Sequence, residues 1–395
     1  MTGTRDPLNA FVDYPDKPVR SAETGPLRGL SFGLKDIYDV AGYPTGCGNP
    51  QKEAEAGPAA STAPAIQALL DAGAAFAGKT QTDELAFSMM GLNAHFPPPV
   101  NARARERVTG GSSSGSAAAV AGGLADFAIG SDTNGSVRIP ASFCGLLGLR
   151  TTHGRITMEG AMPLAPSFDT LGWFTRDAAT YEAVANVLFG EDSHGEELRT
   201  PVRIAELEAR FFGEAEQKAY RAMLARVLER FEKPATFLAL PGELEDLYEK
   251  FRQIQAYEAW ASQASFLSQK DRGLGPGVKE RFAFGRSITG AMVEEARQRR
   301  RDFQGDFSAL MRPDMVVVMP TQPSAAPLKI ATLEEQESYR HRGLALTCLA
   351  GLLGWPQISI PLGEVHGAPF GISLLGPAGS DRQLIRIAAK ILSGS

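Results

Sequence analysis

The sequence predicts an α/β protein in which a central β-sheet is flanked by helices on both faces. Two observations lead there. Short apolar runs bounded by proline or glycine alternate with helical segments along the whole chain, as expected for a sheet covered on two sides. No internal repeat, low-complexity tract or Pro/Ser linker interrupts that alternation, so one domain over 1–395 is expected.

The elements follow in order. "LSFGLKDIYDV" (30–40) is apolar and partly β-branched or aromatic, hence strand-like. "STAPAIQALLDAGAAFAGK" (61–79) opens with a Ser/Thr cap and a proline in its first turn, then breaks at glycine before a short extended run. "GSAAAVAGG" (115–123) reads as a helix of small residues, and "DFAIGSD" (126–132) as the strand after it. "VRIAEL" (202–207), an amphipathic helix near 214–233 and "TFLAL" (236–240) come next. Two long polar-faced helices fill about 242–270 and 288–311, which makes 240–312 a peripheral helical insert. "MVVVMP" (315–320), "PQISIPLG" (356–363) and "FGISLLGP" (370–377) have the character of central strands.

Composition narrows the function classes. Hydrophobic residues make up 43% and charged residues 22%, with a net charge of −5. A nucleic-acid binder would carry a basic surface, so that class is set aside. Cys47, Cys144 and Cys348 have neither metal-ligand spacing nor an even number, and no metal or cofactor site is read. A reducing cytoplasm is expected. The polar start "MTGTRDPLNAF" is not a secretory signal, and no apolar run reaches the ~18–20 residues that a membrane span needs.

Three stretches stand out chemically. "TGGSSSGS" (109–116) is a Gly/Ser loop opening into the small-residue helix. As a phosphate loop it lacks the Gly-Lys-Ser/Thr ending, and as a bland feature it is a flexible loop. In "GSDTNGSVRIP" (130–140), Ser136 follows Asn134-Gly135 in a tight turn. The amides of Thr133, Asn134, Gly135 and Ser136 there suit an oxyanion hole, although a serine in such a turn is often only a turn residue. Lys35, in "SFGLKDIYD", stands in an apolar run. Burying its ammonium is unfavourable unless the amine is neutral or paired, and Asp36 and Asp39 are the nearest candidates for pairing.

Together these stretches resemble the amidase signature family. "GLKD" (33–36), "GGSSSGSAAAVAGGLADFAIGSDTNGSVRIPASFCGLLGLR" (110–150) and the tail "PTQPSAAP", "PQISIPLG" and "GISLLGPAGSDRQLIRIAAKI" carry the resemblance nearly end to end. "DIYDVAGYPTGCGNP", "GLNAH", "GGSSSGSA", "SFDTLGWFTRD" and "TTHGRIT" place it nearest the branch of indole-3-acetamide hydrolases. The resemblance implies a mixed central sheet, the amidase signature fold, with a signature core at about 30–180. It also implies a Ser-Ser-Lys triad: Ser136 as nucleophile, Ser112 as bridging serine on a non-prolyl cis peptide, and Lys35 as base. The implied reaction is hydrolysis of a small carboxylic amide to the acid and ammonia through an acyl-Ser136 ester. The amide would be an arylacetamide such as indole-3-acetamide, or else a small aliphatic, carboxylated or urea-type amide. Lys35 must then titrate far below roughly 10.4, toward ~7–8, a change of about 4 kcal/mol that burial supplies. Relatives of this kind are often dimers, so a homodimer is expected. The rival of another class is a non-catalytic amidase-like binding module, which would be expected to have lost a triad member.

The chain departs from the family pattern at Asn134, where glycine is usual, at Ser131 for threonine, at Ser114 for a frequent glycine, and at Asn101-Ala102 for Asn-Pro. None removes a triad member. Asp132 and Arg138 are expected to form a buried pair bracing the turn, His153 to be a structural loop residue, and Cys144 to be core. Met89 and Met90 approach the acyl pocket or simply pack.

Overall fold

The computed structural model describes residues 6–394. Among them ten strands form one mixed sheet: β1 Ser31–Lys35, β2 Ala75–Thr80, β3 Phe127–Asp132, β4 Leu147–Arg150, β5 Thr170–Thr175, β6 Thr200–Ile204, β7 Thr236–Leu238, β8 Met315–Pro320, β9 Gln357–Val365 and β10 Ala368–Leu375. Their order across the sheet is β2-β1-β3-β5-β4-β9-β10-β8-β6-β7. β1 runs parallel to β2 and β3, and β6 runs parallel to β7 and β8. The five central pairings are antiparallel.

The sequence explains why both faces are covered. All six residues of "MVVVMP" in β8 are buried. Side chains alternate across a strand, and here Val316 and Val318 join one apolar cluster while Met315, Val317 and Met319 join the other. The first cluster takes in the helices Pro64–Asp71, Ala178–Leu188, Glu214–Leu228 and Asp381–Ser393. The second takes in Leu244–Leu267, Gly290–Leu310 and Leu333–Leu353. A near-continuous apolar strand is what a doubly covered sheet requires.

Some expectations shift. The run 30–40 is a strand only as far as Lys35, because the Asp36 carboxylate turns to accept the Gly46 and Cys47 amides and pairs with Lys79 at 2.9 Å. Between the two long helices of 240–312 lies a third, Val278–Ser287. Glycines 273, 275 and 277 and Pro276 end the preceding segment, and the Glu280 side chain caps the new helix by accepting the Gly277 amide at 2.5 Å. The helix Leu333–Leu353 has no counterpart among the sequence-based elements. It starts at a Thr332–Glu335 capping box and stops at Gly354, with φ 72°. From Gly343 onward every residue is buried, so no amphipathic stripe marks it.

Candidate active site

Parallel pairing of β1 with β3 brings the carboxyl ends of these strands side by side, with Leu34 opposite Ile129. Lys35 ends β1, while Ser131 and Asp132 end β3. Lys35 is wholly buried and donates to Ser112 Oγ at 2.7 Å and to Ser131 Oγ at 2.8 Å. It makes no ion pair among the described residues, since Asp36 is taken by Lys79 and the Asp39 side chain accepts from Thr45. Burial lowers its pKa from 10.5 to about 7, against the pull of Asp83, Asp169 and Asp132. Lys35 is therefore buried without pairing to either Asp36 or Asp39.

Ser112 comes from the Gly/Ser loop. Its carbonyl accepts the Asp83 amide at 3.1 Å and the Thr82 hydroxyl at 3.0 Å, and the Gly111–Ser112 peptide is cis. A Cβ at Gly111 would stand 2.3 Å from Asp83 Oδ2, so only glycine allows this approach. Asp83 is itself buried, and burial raises its pKa with Lys35 partly offsetting the effect. The Ser113 amide reaches the Ser136 carbonyl at 3.4 Å and ties this loop to the serine turn.

The turn is held from beneath by Asp132. Its Oδ2 accepts from Arg138 Nε at 3.0 Å and the Val137 amide at 3.1 Å, and its Oδ1 accepts from Arg138 Nη2 at 2.8 Å. Arg150 adds an ion pair at 3.4 Å and clamps the Asp132 and Thr133 carbonyls. Burial alone would push the Asp132 carboxyl up, yet the two guanidiniums and the amides hold it well below the usual carboxylate range. Arg138 thus braces the turn, as the sequence suggested.

Of the four amides expected to face an oxyanion, that of Gly135 donates to Asp132 Oδ1 at 2.7 Å. This narrows the sequence-based set, because a donor engaged by a carboxylate beneath the turn is not free above it. Thr133, Asn134 and Ser136 have amides with no acceptor among the described residues. Gly135 keeps a different importance, with φ 101° and Ile139 only 2.7 Å from where its Cβ would lie.

Asn134 is braced by the unforeseen helix. Thr347 Oγ1 lies 3.0 Å from its Oδ1 and 3.2 Å from its carbonyl, while Asn134 Nδ2 is buried without a partner among the described residues. Asn134 and Ser136 line a pocket of about 20 Å³. It shares Phe87, Ser88, Gln255 and Arg340 with a cleft of about 850 Å³. Met89 lines the pocket and Met90 the cleft. Asn134→Gly is expected to retain hydrolysis with kcat lowered up to about tenfold, the worth of one hydrogen bond. Steady-state kinetics on an amide panel checks this, and complete inactivity would give the Asn side chain an essential role.

Other residues fall where the bland readings put them. His153 Nε2 meets the Pro166 carbonyl at 2.9 Å on an exposed loop. Cys144 is buried, and burial pushes its thiol up. Ser131 and Asp83 are the members that the sequence reading did not place; Ser131 was visible only as a conservative departure.

A buried lysine hydrogen-bonded to a loop serine thus stands near a second serine turn that lines a small pocket, all on a mixed sheet. The family model described as Amidase matches residues 12–385, and the chain belongs to that family, the hydrolases of amide C–N bonds. It is 35% identical to "Amidase 1" of Oryza sativa subsp. japonica over 98% of this chain and 96% of that protein. It is 31% identical to "Outer envelope protein 64, chloroplastic" of Arabidopsis thaliana, over 96% of this chain and 70% of that one. A solved structure titled "Crystal structure of amidase" superposes with a TM-score of 0.81 at 31% identity, covering 93% of this chain and 85% of its own.

Proposed function

We propose that the protein hydrolyses a small carboxylic amide through an acyl ester on Ser136. The observation that carries this is Lys35, buried, titrating near 7 and 2.7 Å from Ser112 Oγ. The neutral amine takes the Ser112 proton as Ser112 takes that of Ser136, and Ser136 Oγ bonds to the amide carbon. The free amides of Thr133, Asn134 and Ser136 stabilise the oxyanion. Collapse breaks the C–N bond, and the relay returns the proton to the leaving ammonia. Water then attacks the ester by the same route and releases the acid and free Ser136. An arylacetamide such as indole-3-acetamide is the specific substrate we put forward, since Phe87, Tyr248 and Phe284 give the cleft apolar walls for a ring. The three buried free thiols accord with a reducing, cytoplasmic location.

The test is covalent labelling with a fluorophosphonate, followed by peptide mapping. Label is expected on Ser136 and absent in Lys35→Ala. Ser136→Ala is expected to lose turnover by roughly 10³-fold or more while staying folded. Wild-type-like turnover by Ser136→Ala would sink the assignment, and unlabelled, inactive protein would favour a binding module.

A further inference from the structure

The cleft is lined by two guanidiniums, Arg281 with no ion pair among the described residues and Arg340 with a single long one. Arg281 projects from the helix Val278–Ser287 and Arg340 from Leu333–Leu353. Arg281 Nε donates to the Phe87 carbonyl at 2.6 Å, which fixes the plane of its guanidinium. No carboxylate lies within 4.0 Å of that guanidinium among the described residues. The acidic residues around it are engaged elsewhere or distant. Glu84 accepts from Asn49 at 2.7 Å, His95 at 2.8 Å and the Gly275 amide at 2.8 Å. Glu280 caps its own helix. Glu337 is 69% exposed and reaches Arg340 only at 3.9 Å. Arg252 pairs with Glu249 at 3.4 Å, and the His341 ring lies 2.7 Å from Glu245. Burial, then the neighbouring charge of Arg340, brings Arg281 down to about 9. Two such cations lining one space, with apolar Phe87 between the cleft and Ser136, favour an anion arriving with the substrate.

We propose that Arg281 and Arg340 form a carboxylate subsite, so that among aliphatic amides the half-amides of dicarboxylic acids are preferred to their neutral counterparts. The inference rests on the amidase reading. Arg340 borders both the cleft and the Ser136 pocket, so an acyl chain with its amide carbonyl at Ser136 carries its far end toward the guanidiniums. The half-amide and water give the dicarboxylate and ammonium, with no further reactant.

The test compares chains matched in length: succinamate, glutaramate, adipamate and suberamate against the unsubstituted alkyl amides. At least one acid is expected to exceed its neutral counterpart by about tenfold or more in kcat/KM, the worth of one charge-assisted hydrogen bond. Arg281→Gln should erase that preference mainly through KM, with the acids losing far more than the neutral amides, and Arg281→Lys should restore part of it. Equal or better turnover of every neutral amide, or equal losses on both classes, would overturn the subsite while leaving the amidase standing. Calorimetric binding of adipate and suberate to wild type and Arg281→Gln decides the subsite without turnover. Binding weakened in the variant supports it even if Ser136 never labels, and no binding to wild type refutes it.

Discussion

Lys35→Met is expected to abolish turnover and yet raise stability at pH 7. The drop from 10.5 to about 7 corresponds, at about 1.36 kcal/mol for each pH unit, to about 5 kcal/mol against folding. The sign follows from a folded pKa below the unfolded one. Below about pH 7 both states hold the proton, and the penalty is fully present. From pH 7 to 10.5 only the unfolded chain stays protonated, so the penalty shrinks as pH rises and vanishes above 10.5. Methionine fills similar volume without a charge. It forfeits the hydrogen bonds to Ser112 and Ser131, worth about 1–1.5 kcal/mol each, which leaves a net gain of about 2 kcal/mol. Denaturant unfolding of both proteins at pH 6, 8 and 10 should show a gain that declines with pH. A variant less stable than wild type at pH 6 would mean that the ammonium is sustained by Asp83, Asp169 and Asp132, and that Lys35 is no neutral base. The wild-type kcat/KM should correspondingly rise about tenfold per unit below pH 7 and level off above it, because only the unprotonated amine accepts a proton.

The same residues show how far the sequence could be read. β3, β8, β9 and β10 were legible because buried strands of a doubly covered sheet are apolar runs between prolines and glycines. Lys35, Ser112 and Ser136 could be grouped in advance only because the long Gly/Ser signature resembles the amidase family, and the fold brings Lys35 to 2.7 Å from Ser112. The helix Leu333–Leu353 was not, since burial on all sides erases helical periodicity, even though its Thr332–Glu335 capping box stands in the sequence. With it went the Thr347 contact to Asn134, which spans 213 positions. The engagement of the Gly135 amide by Asp132 is a local matter of backbone direction that residue types do not encode. Arg281 and Arg340 carry no signal in the sequence, because only tertiary structure shows that the two line one cleft.

Asp132→Ala is expected to be the most destabilising single change near the site. It leaves Arg138 and Arg150, both fully buried, without their carboxylate. Removing one partner of a buried pair typically costs about 3–5 kcal/mol, chiefly because the remaining charge is uncompensated. Neither cation can escape: Arg138 is also held by the Gln357 side chain and the Thr347 carbonyl, and Arg150 by the carbonyls of Thr133 and Phe168. The same carboxylate fixes the Gly135 and Val137 amides on either side of Ser136, so turnover should fall even at temperatures where the variant is folded. Asp132→Asn, which keeps an acceptor but not the charge, should lie between wild type and Asp132→Ala in both respects. The pH dependence separates the charge from the packing. The Asp132 carboxyl titrates well below its ordinary 3.8, so its contribution is fully present above about pH 4 and is lost only as pH falls further. The stability gap between wild type and Asp132→Ala should therefore stay flat from pH 5 to 9 and narrow in acid. A gap below about 1 kcal/mol at pH 7, within the range of an exposed ion pair, would mean that water reaches these guanidiniums and that the turn carrying Ser136 is held by its backbone alone.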